Sequence, residues 1–159
     1  MKSKWGAVFL TSLIAGTMDI LAAIIIYALV LEKTTAIQIL QSIASGIFKK
    51  EAYAGDPKMA WYGLGFHYII ATLFTLFYFA IYPYIPFFRK NAFLSGILYG
   101  IFVWAVMNII VLPIVFPALP DKNMDFALLL SILILIFCIG LPIAFITNKF
   151  YFLHTQQSA

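Results

Sequence analysis

The stretch Ala15–Ala23, AGTMDILAA, sets one carboxylate, Asp19, inside an apolar run that extends from Gly6 to Leu31. At 1.5 Å per residue this run is long enough to cross a bilayer. A carboxylate near the middle of such a segment costs about 2.5–3.5 kcal/mol on insertion scales, so it must face protein or water rather than lipid. The helix supplies a face for it. Ser12, Ala15, Gly16, Ala22, Ala23 and Ile26 stand three, four or seven residues away and form a stripe of mostly small side chains. Bulky Leu13, Ile14, Met18, Ile20, Leu21 and Ile25 cover much of the remaining surface. The stripe is therefore expected to be the inner face of a helix bundle.

The composition agrees with this setting. Of 159 residues, 64% are hydrophobic and 10% charged, and the mean hydropathy is +1.03. No soluble domain of this size has a core large enough to hide that much apolar surface. The apolar runs are each about 20 residues or longer, which excludes a barrel of alternating strands. The net charge of +4 sits at segment ends, so it bears on topology and gives no reason to expect a nucleic-acid partner. A single cysteine, Cys138, excludes an intrachain disulfide and argues against a cysteine-built metal site.

Four spans follow, at about 6–31, 59–82, 92–116 and 126–147, in one all-α domain over residues 1–159. Lys2 and Lys4 before the first run resemble a secretory signal, but the run is about twice as long as a signal core and holds Asp19 where cleavage would occur. It is read as an uncleaved span. The second span has Trp61 and Tyr62 at one end and Tyr82 and Tyr84 at the other, an expected pair of aromatic belts, and Pro83 and Pro86 end it. In the third, Gly96 and Gly100 form a GxxxG pair, which suits either close packing within the chain or a homo-oligomer. Pro113, Pro117 and Pro120 are expected to end or bend this span. A polar loop over 121–125 follows, with Asp125 suited to the first turn of the fourth span. Pro142 predicts a kink in that span, and the polar tail after Tyr151 is expected to be loose.

Between the first two spans, Thr34 or Thr35 can cap a short helix over about 35–49. Gln38, Gln41, Ser42, Ser45 and Lys49 fall within about 100° of its circumference. Two placements are open. The helix lies flat in the interface, or it dips in as a re-entrant lid with its polar stripe over the bundle mouth. The stripe is amide and hydroxyl rather than basic until its last turn, which suits the lid.

Basic residues are balanced between the two sides, but Lys2 and Lys4 ahead of the first span and the short loop with Arg89 and Lys90 favour cytoplasmic termini. On that topology Asp19 lies about 20 Å from the start of its helix, His67 about 12 Å below the other end of the second span, and Asn108 about 24 Å up the third. All three fall in the same half of the membrane. His67 has small neighbours, Ala60, Gly63 and Ala71, on its own face. These groups, with Gln38, Gln41, Ser42 and Ser45, are the candidate path for a small solute, ion or proton. An aspartate and a histidine at that depth can exchange protons. The alternative is purely structural: Asp19 satisfied by hydroxyls or Asn108, and His67 by a backbone group. With His154 there are two histidines, too few to expect a metal or haem site. Catalytic signatures such as GxSxG, HExxH or a P-loop are missing from the sequence, so neither an enzyme nor a cofactor is expected.

AGTMDILAA together with LQSIASGIF (40–48), LGFHYIIA (64–71), MNIIVLPI (107–114) and CIGLPIAF (138–145) resembles a group of short bacterial inner-membrane proteins, loosely YagU-like. The chain departs from that group at Lys49 and Asp56, where glycine stands. The resemblance implies a bacterial four-helix protein of the inner membrane and carries no substrate, cofactor or active site. The expected function is permease- or channel-like, or proton-linked transport of a small solute. The rival is an accessory or stress-related interaction protein that transports nothing.

Overall fold

The computed structural model describes residues 3–116 and 126–157, and over these residues the chain is helical without strands. Four helices are long and apolar enough to cross a membrane: Lys4–Val30, Lys58–Tyr84, Ala92–Val115 and Phe126–Leu153. The first consists of α1 (Lys4–Ala23) and a π-helical continuation, Ile24–Val30. Its buried face is Ala7, Val8, Thr11, Ser12, Ala15, Gly16 and Ile20, a stripe at i, i+4 spacing. Leu13, Met18, Leu21 and Ile25 are exposed on the opposite side. Ile20 corrects the expectation. It was grouped with the outward bulk, yet it continues the row of Ser12 and Gly16 by one turn and is 6% exposed.

The short helix α2 (Ala36–Phe48) starts where the sequence indicates. The Thr35 hydroxyl accepts from the Gln38 backbone N–H at 3.2 Å, and the Gln38 Oε1 accepts from the Thr35 N–H at 3.1 Å, a reciprocal cap. It lies against α3 (Lys58–Ile81), where Gly63 admits the Leu40 carbonyl so closely that any Cβ there would collide with it. Phe48 packs on Tyr62 and Phe66 at 5.3 and 6.1 Å between ring centres. Lys49 ends the helix at φ 52°, a left-handed conformation that disfavours a side chain. Its ammonium donates to the Val115 carbonyl at 3.0 Å, satisfying one of the free carbonyls at the end of the third span. α2 therefore bridges the second span to the end of the third.

After α3 come a 3₁₀ turn (Tyr82–Tyr84) and the short α4 (Pro86–Lys90). The third span is α5 (Ala92–Ala105), a π segment (Val106–Val111) and α6 (Leu112–Val115). The fourth is α7 (Phe126–Leu135), a π segment (Ile136–Gly140) and α8 (Leu141–Gln157). Pro113 and Pro142 neither end their helices nor stand alone, because each follows a π segment within two residues. A proline ring crowds the carbonyl one turn back and removes a donor, and a wider turn ahead of it accommodates both. The helix after Pro142 runs to Gln157, past the expected limit at Thr147 and through the tail expected to be loose. Pro117, Pro120, the loop at 121–125 with Asp125, and Lys2 lie outside the described residues.

The Gly96–Gly100 pair faces the fourth span of the same chain. A Cβ on Gly96 would meet Leu141, one on Gly100 would meet Ile136, and one on Gly140 would collide with the Gly96 carbonyl. Of the two uses open to this pair, close packing within the chain is the one these contacts serve. Near the loop between the second and third spans lies an aromatic core. Tyr78 stacks on Phe88 and meets Tyr99 edge-on at 4.6 Å, while Tyr82 stacks on Tyr151 at 4.8 Å. Tyr82, expected in an interfacial belt, is 2% exposed. The extended α8 brings Tyr151 and Asn148 against it, and Asn148 Nδ2 donates to its hydroxyl at 2.9 Å. Trp61, Tyr62 and Tyr84 are exposed, as belt residues should be.

Candidate functional site

The first two spans cross where α1 is narrowest. Gly16 has only hydrogen where Tyr68 and Ala71 press in, at 3.0 and 3.2 Å from the position a Cβ would take. This contact brings His67 to the backbone of α1. Its Nε2 stands 2.8 Å from the Gly16 carbonyl. A carbonyl only accepts, so Nε2 carries hydrogen and donates. Beside it, the Thr17 and Tyr68 hydroxyls are 2.7 Å apart. Asp19 lies three residues on from Gly16, half-buried.

A cavity of about 720 Å³ opens at this level. Asp19 and His67 line it from the first and second spans, Asn108 from the π segment of the third, and Ser42 and Ser45 from α2. The rest of the wall is almost wholly apolar, with Phe66, Ile70, Phe74, Met107, Leu112 and Ile139 among its members. A large apolar cavity with a few convergent polar groups is the usual form of a small-molecule site.

Five of the seven residues singled out from the sequence thus share one space. Gln38 and Gln41 do not. Gln38 spends its side chain on the cap of α2, and Gln41 is buried outside the cavity wall. The polar stripe of α2 is consequently divided. Gln41 and Ser45 are buried, whereas Gln38, Ser42 and Lys49 are exposed. Both serines also bond back to their own helix: Ser42 donates to the Ile39 carbonyl at 2.6 Å and Ser45 to the Ser42 carbonyl at 2.7 Å.

The polar groups of the cavity differ in how far they are satisfied. Asn108 Nδ2 donates to the Trp104 carbonyl at 2.9 Å. His67 holds the Gly16 carbonyl. Among the described residues no hydrogen bond or ion pair reaches the Asp19 carboxylate. Asp19 and His67 face the same cavity with no hydrogen bond or ion pair between them among the described residues. Tyr53, which sequence reasoning passed over, also lines the cavity, with its hydroxyl 3.3 Å from that of Ser45. It stands in a polar turn segment, where nothing in its neighbours marks it. No group of three or more His, Cys, Asp or Glu among the described residues comes together to hold a metal ion.

No protein-family model, curated protein or solved structure compared with the chain matches it.

Proposed function

We propose that the chain is a small multi-pass protein of a bacterial inner membrane that takes a small solute into the Asp19 cavity and exchanges protons there. One observation carries this reading: an acidic side chain at membrane depth lines a roomy cavity and holds no hydrogen bond or ion pair among the described residues. A carboxylate that served only as glue between helices would be expected to hold a donor. His67, with Nε2 committed to Gly16, presents Nδ1 as the second proton-carrying group. α2 is the cover of this site in the proposal, since Ser42, Ile43, Ser45, Gly46 and Ile47 contribute to its wall. The reaction is binding and passage, without catalysis or cofactor.

The accessory-protein reading has its own support in the His67–Gly16 bond, which would hold two spans together whatever the cavity does. Reconstitution in vesicles with an internal pH indicator separates the two. A panel of small cationic and neutral solutes is offered to wild type and to Asp19→Asn. Solute-dependent proton movement in wild type, lost in a variant that keeps its melting temperature, is the expected result. Equal proton movement in both removes Asp19 from the mechanism, and no movement with any solute leaves the accessory reading standing.

Cytoplasmic termini complete the proposal, on the strength of Lys4, Arg89 and Lys90 beside the first and third spans. Single cysteines at Ser3, Asn91 and Ala54 in a Cys138→Ala background are expected to react with an impermeant thiol reagent in intact cells only at Ala54. Labelling at Asn91 alone reverses the orientation.

A further inference from the structure

The second and third spans are neighbours in sequence and touch near the loop that joins them. Tyr78 and Ser95 share a hydrogen bond of 2.8 Å, Tyr99 donates to the Phe74 carbonyl at 2.6 Å, and Phe77 stacks on Phe102 at 5.6 Å. Further towards α2 a groove of about 320 Å³ separates them, walled by Ile70, Leu73 and Phe77 on one side and Phe102 and Val111 on the other. No polar side chain lines it. Ile70, Phe74, Met107 and Val111 belong to the walls of both this groove and the Asp19 cavity, so the two spaces adjoin. Leu73 is 60% exposed and Phe77 and Phe102 more than 40%. On a spanning helix that exposure is to acyl chains, and the groove therefore meets the membrane along its flank.

The combined space has two unlike parts. One is an apolar trough, and from Ile70 to Phe77 its wall rises about 10 Å along α3. The other is the Asp19 cavity, whose few polar groups include a carboxylate that holds no hydrogen bond or ion pair among the described residues. A small hydrated cation would be met by Asp19 and little else in a wall so apolar. A neutral lipid would leave the carboxylate unpaired. An occupant with a cationic head and a single alkyl chain satisfies both parts.

We infer that the adjoining cavity and groove hold a single-chain amphiphile with an ammonium head, admitted from the membrane between the second and third spans. Its head lies against Asp19 and its chain along Leu73, Phe77 and Phe102. This assignment rests on the cavity reading above and names the class of molecule that the cavity takes.

The test uses the whole protein in vesicles and the membrane-soluble reagent dicyclohexylcarbodiimide, with modification of Asp19 followed by mass spectrometry of peptides. Dodecyltrimethylammonium at about ten times its dissociation constant is expected to slow modification about tenfold. Tetramethylammonium, which lacks the chain, and dodecanoate, which lacks the cation, leave the rate unchanged. Leu73→Trp fills the groove from its exposed side and restores the rate in the presence of dodecyltrimethylammonium, with Leu73→Phe between. Equal protection by tetramethylammonium overturns the amphiphile and keeps the cavity as a site for small cations. Equal slowing in Leu73→Trp overturns it as a surface-charge effect. Failure of the reagent to modify Asp19 in wild type, while Glu51 outside the spans reacts with a water-soluble carbodiimide, means a sealed interior and removes both readings.

Discussion

Beside the loop at 82–91, Tyr78, Phe79, Tyr82 and Phe150 are all buried, and their rings meet one another or Phe88, Tyr99 and Tyr151. Hydroxyls there reach defined acceptors: Tyr99 to the Phe74 carbonyl and Tyr151 to the Phe79 carbonyl. At the α2 end the same helices are lined by Ile70, Met107, Val111 and Leu112, and they enclose a cavity. Water drives neither end together, because lipid is as apolar as leucine. What remains is fit. Flat rings with polar tips can both stack and bond across helices, whereas aliphatic side chains have only shape to hold them. Two of the three π segments, Ile24–Val30 and Val106–Val111, lie at the loose end. Wide turns recur at functional sites because they cost regularity and re-aim side chains. Here one of them carries Asn108 into the cavity wall.

Glycine substitutions should break this comparison most strongly. Gly140→Ala places a methyl group on the Gly96 carbonyl and the backbone of Gly100, and backbone cannot yield as a side chain would. Loss of folded protein, or destabilisation of more than about 4 kcal/mol, is expected by detergent thermal unfolding. Gly65→Ala meets nothing within 4 Å and is expected to be neutral or to raise stability by up to about 1 kcal/mol, the helix-propensity difference. A mild effect at Gly140 would mean that the third and fourth spans pack less closely than described.

The next contrast is in side-chain truncation. Phe79 is wholly buried between Phe150 and Tyr151. Phe79→Ala is expected to cost about 2 kcal/mol. This is less than a water-soluble core would lose, since in lipid the packing part of the cost remains and the transfer part does not. Leu73→Ala, on the exposed groove wall, should cost under about 0.5 kcal/mol. Similar costs at the two positions would erase the distinction between a tight end and an open one.

Hydropathy made the spans legible, and the Thr34–Thr35 cap candidates with the helical period of the polar stripe made α2 legible, because both are local properties of the chain. The depth of Asp19, His67 and Asn108 could be counted along helices, and all three line one cavity. What could not be read depends on partners distant in sequence. The acceptor of His67 is a backbone carbonyl, which leaves no mark of residue type. Ile20 is buried because Gly16 and Ser12 turn that row inward, although its bulk suggested lipid. Tyr82 looks like a belt residue until α8 is seen to extend beyond Thr147 and cover it. The division of the α2 stripe is of the same kind. Helical periodicity groups Gln38 with Gln41 and Ser45, but the cap claims Gln38, and Gly63 fixes which side of the helix is pressed against α3.

The smallest effect belongs to the pair that gives the open end its chemistry. Asp19 and His67 lie in one cavity wall with no hydrogen bond or ion pair between them, so whatever coupling they have passes through the space between them. Removing one partner of a direct buried ion pair would cost about 3–5 kcal/mol. The arrangement found here predicts much less. Asp19→Asn and His67→Gln are each expected to change stability by under about 1 kcal/mol, with a non-additive part of about 0.5 kcal/mol in the double variant. Glutamine retains an N–H to offer the Gly16 carbonyl, so the second substitution removes the charge-bearing ring while keeping a donor for the bridge between the first two spans. Additivity within about 0.3 kcal/mol would show that the two groups do not sense each other. The His67–Gly16 bond would then be the whole of the histidine's role, and the open end would have lost its reason to be polar.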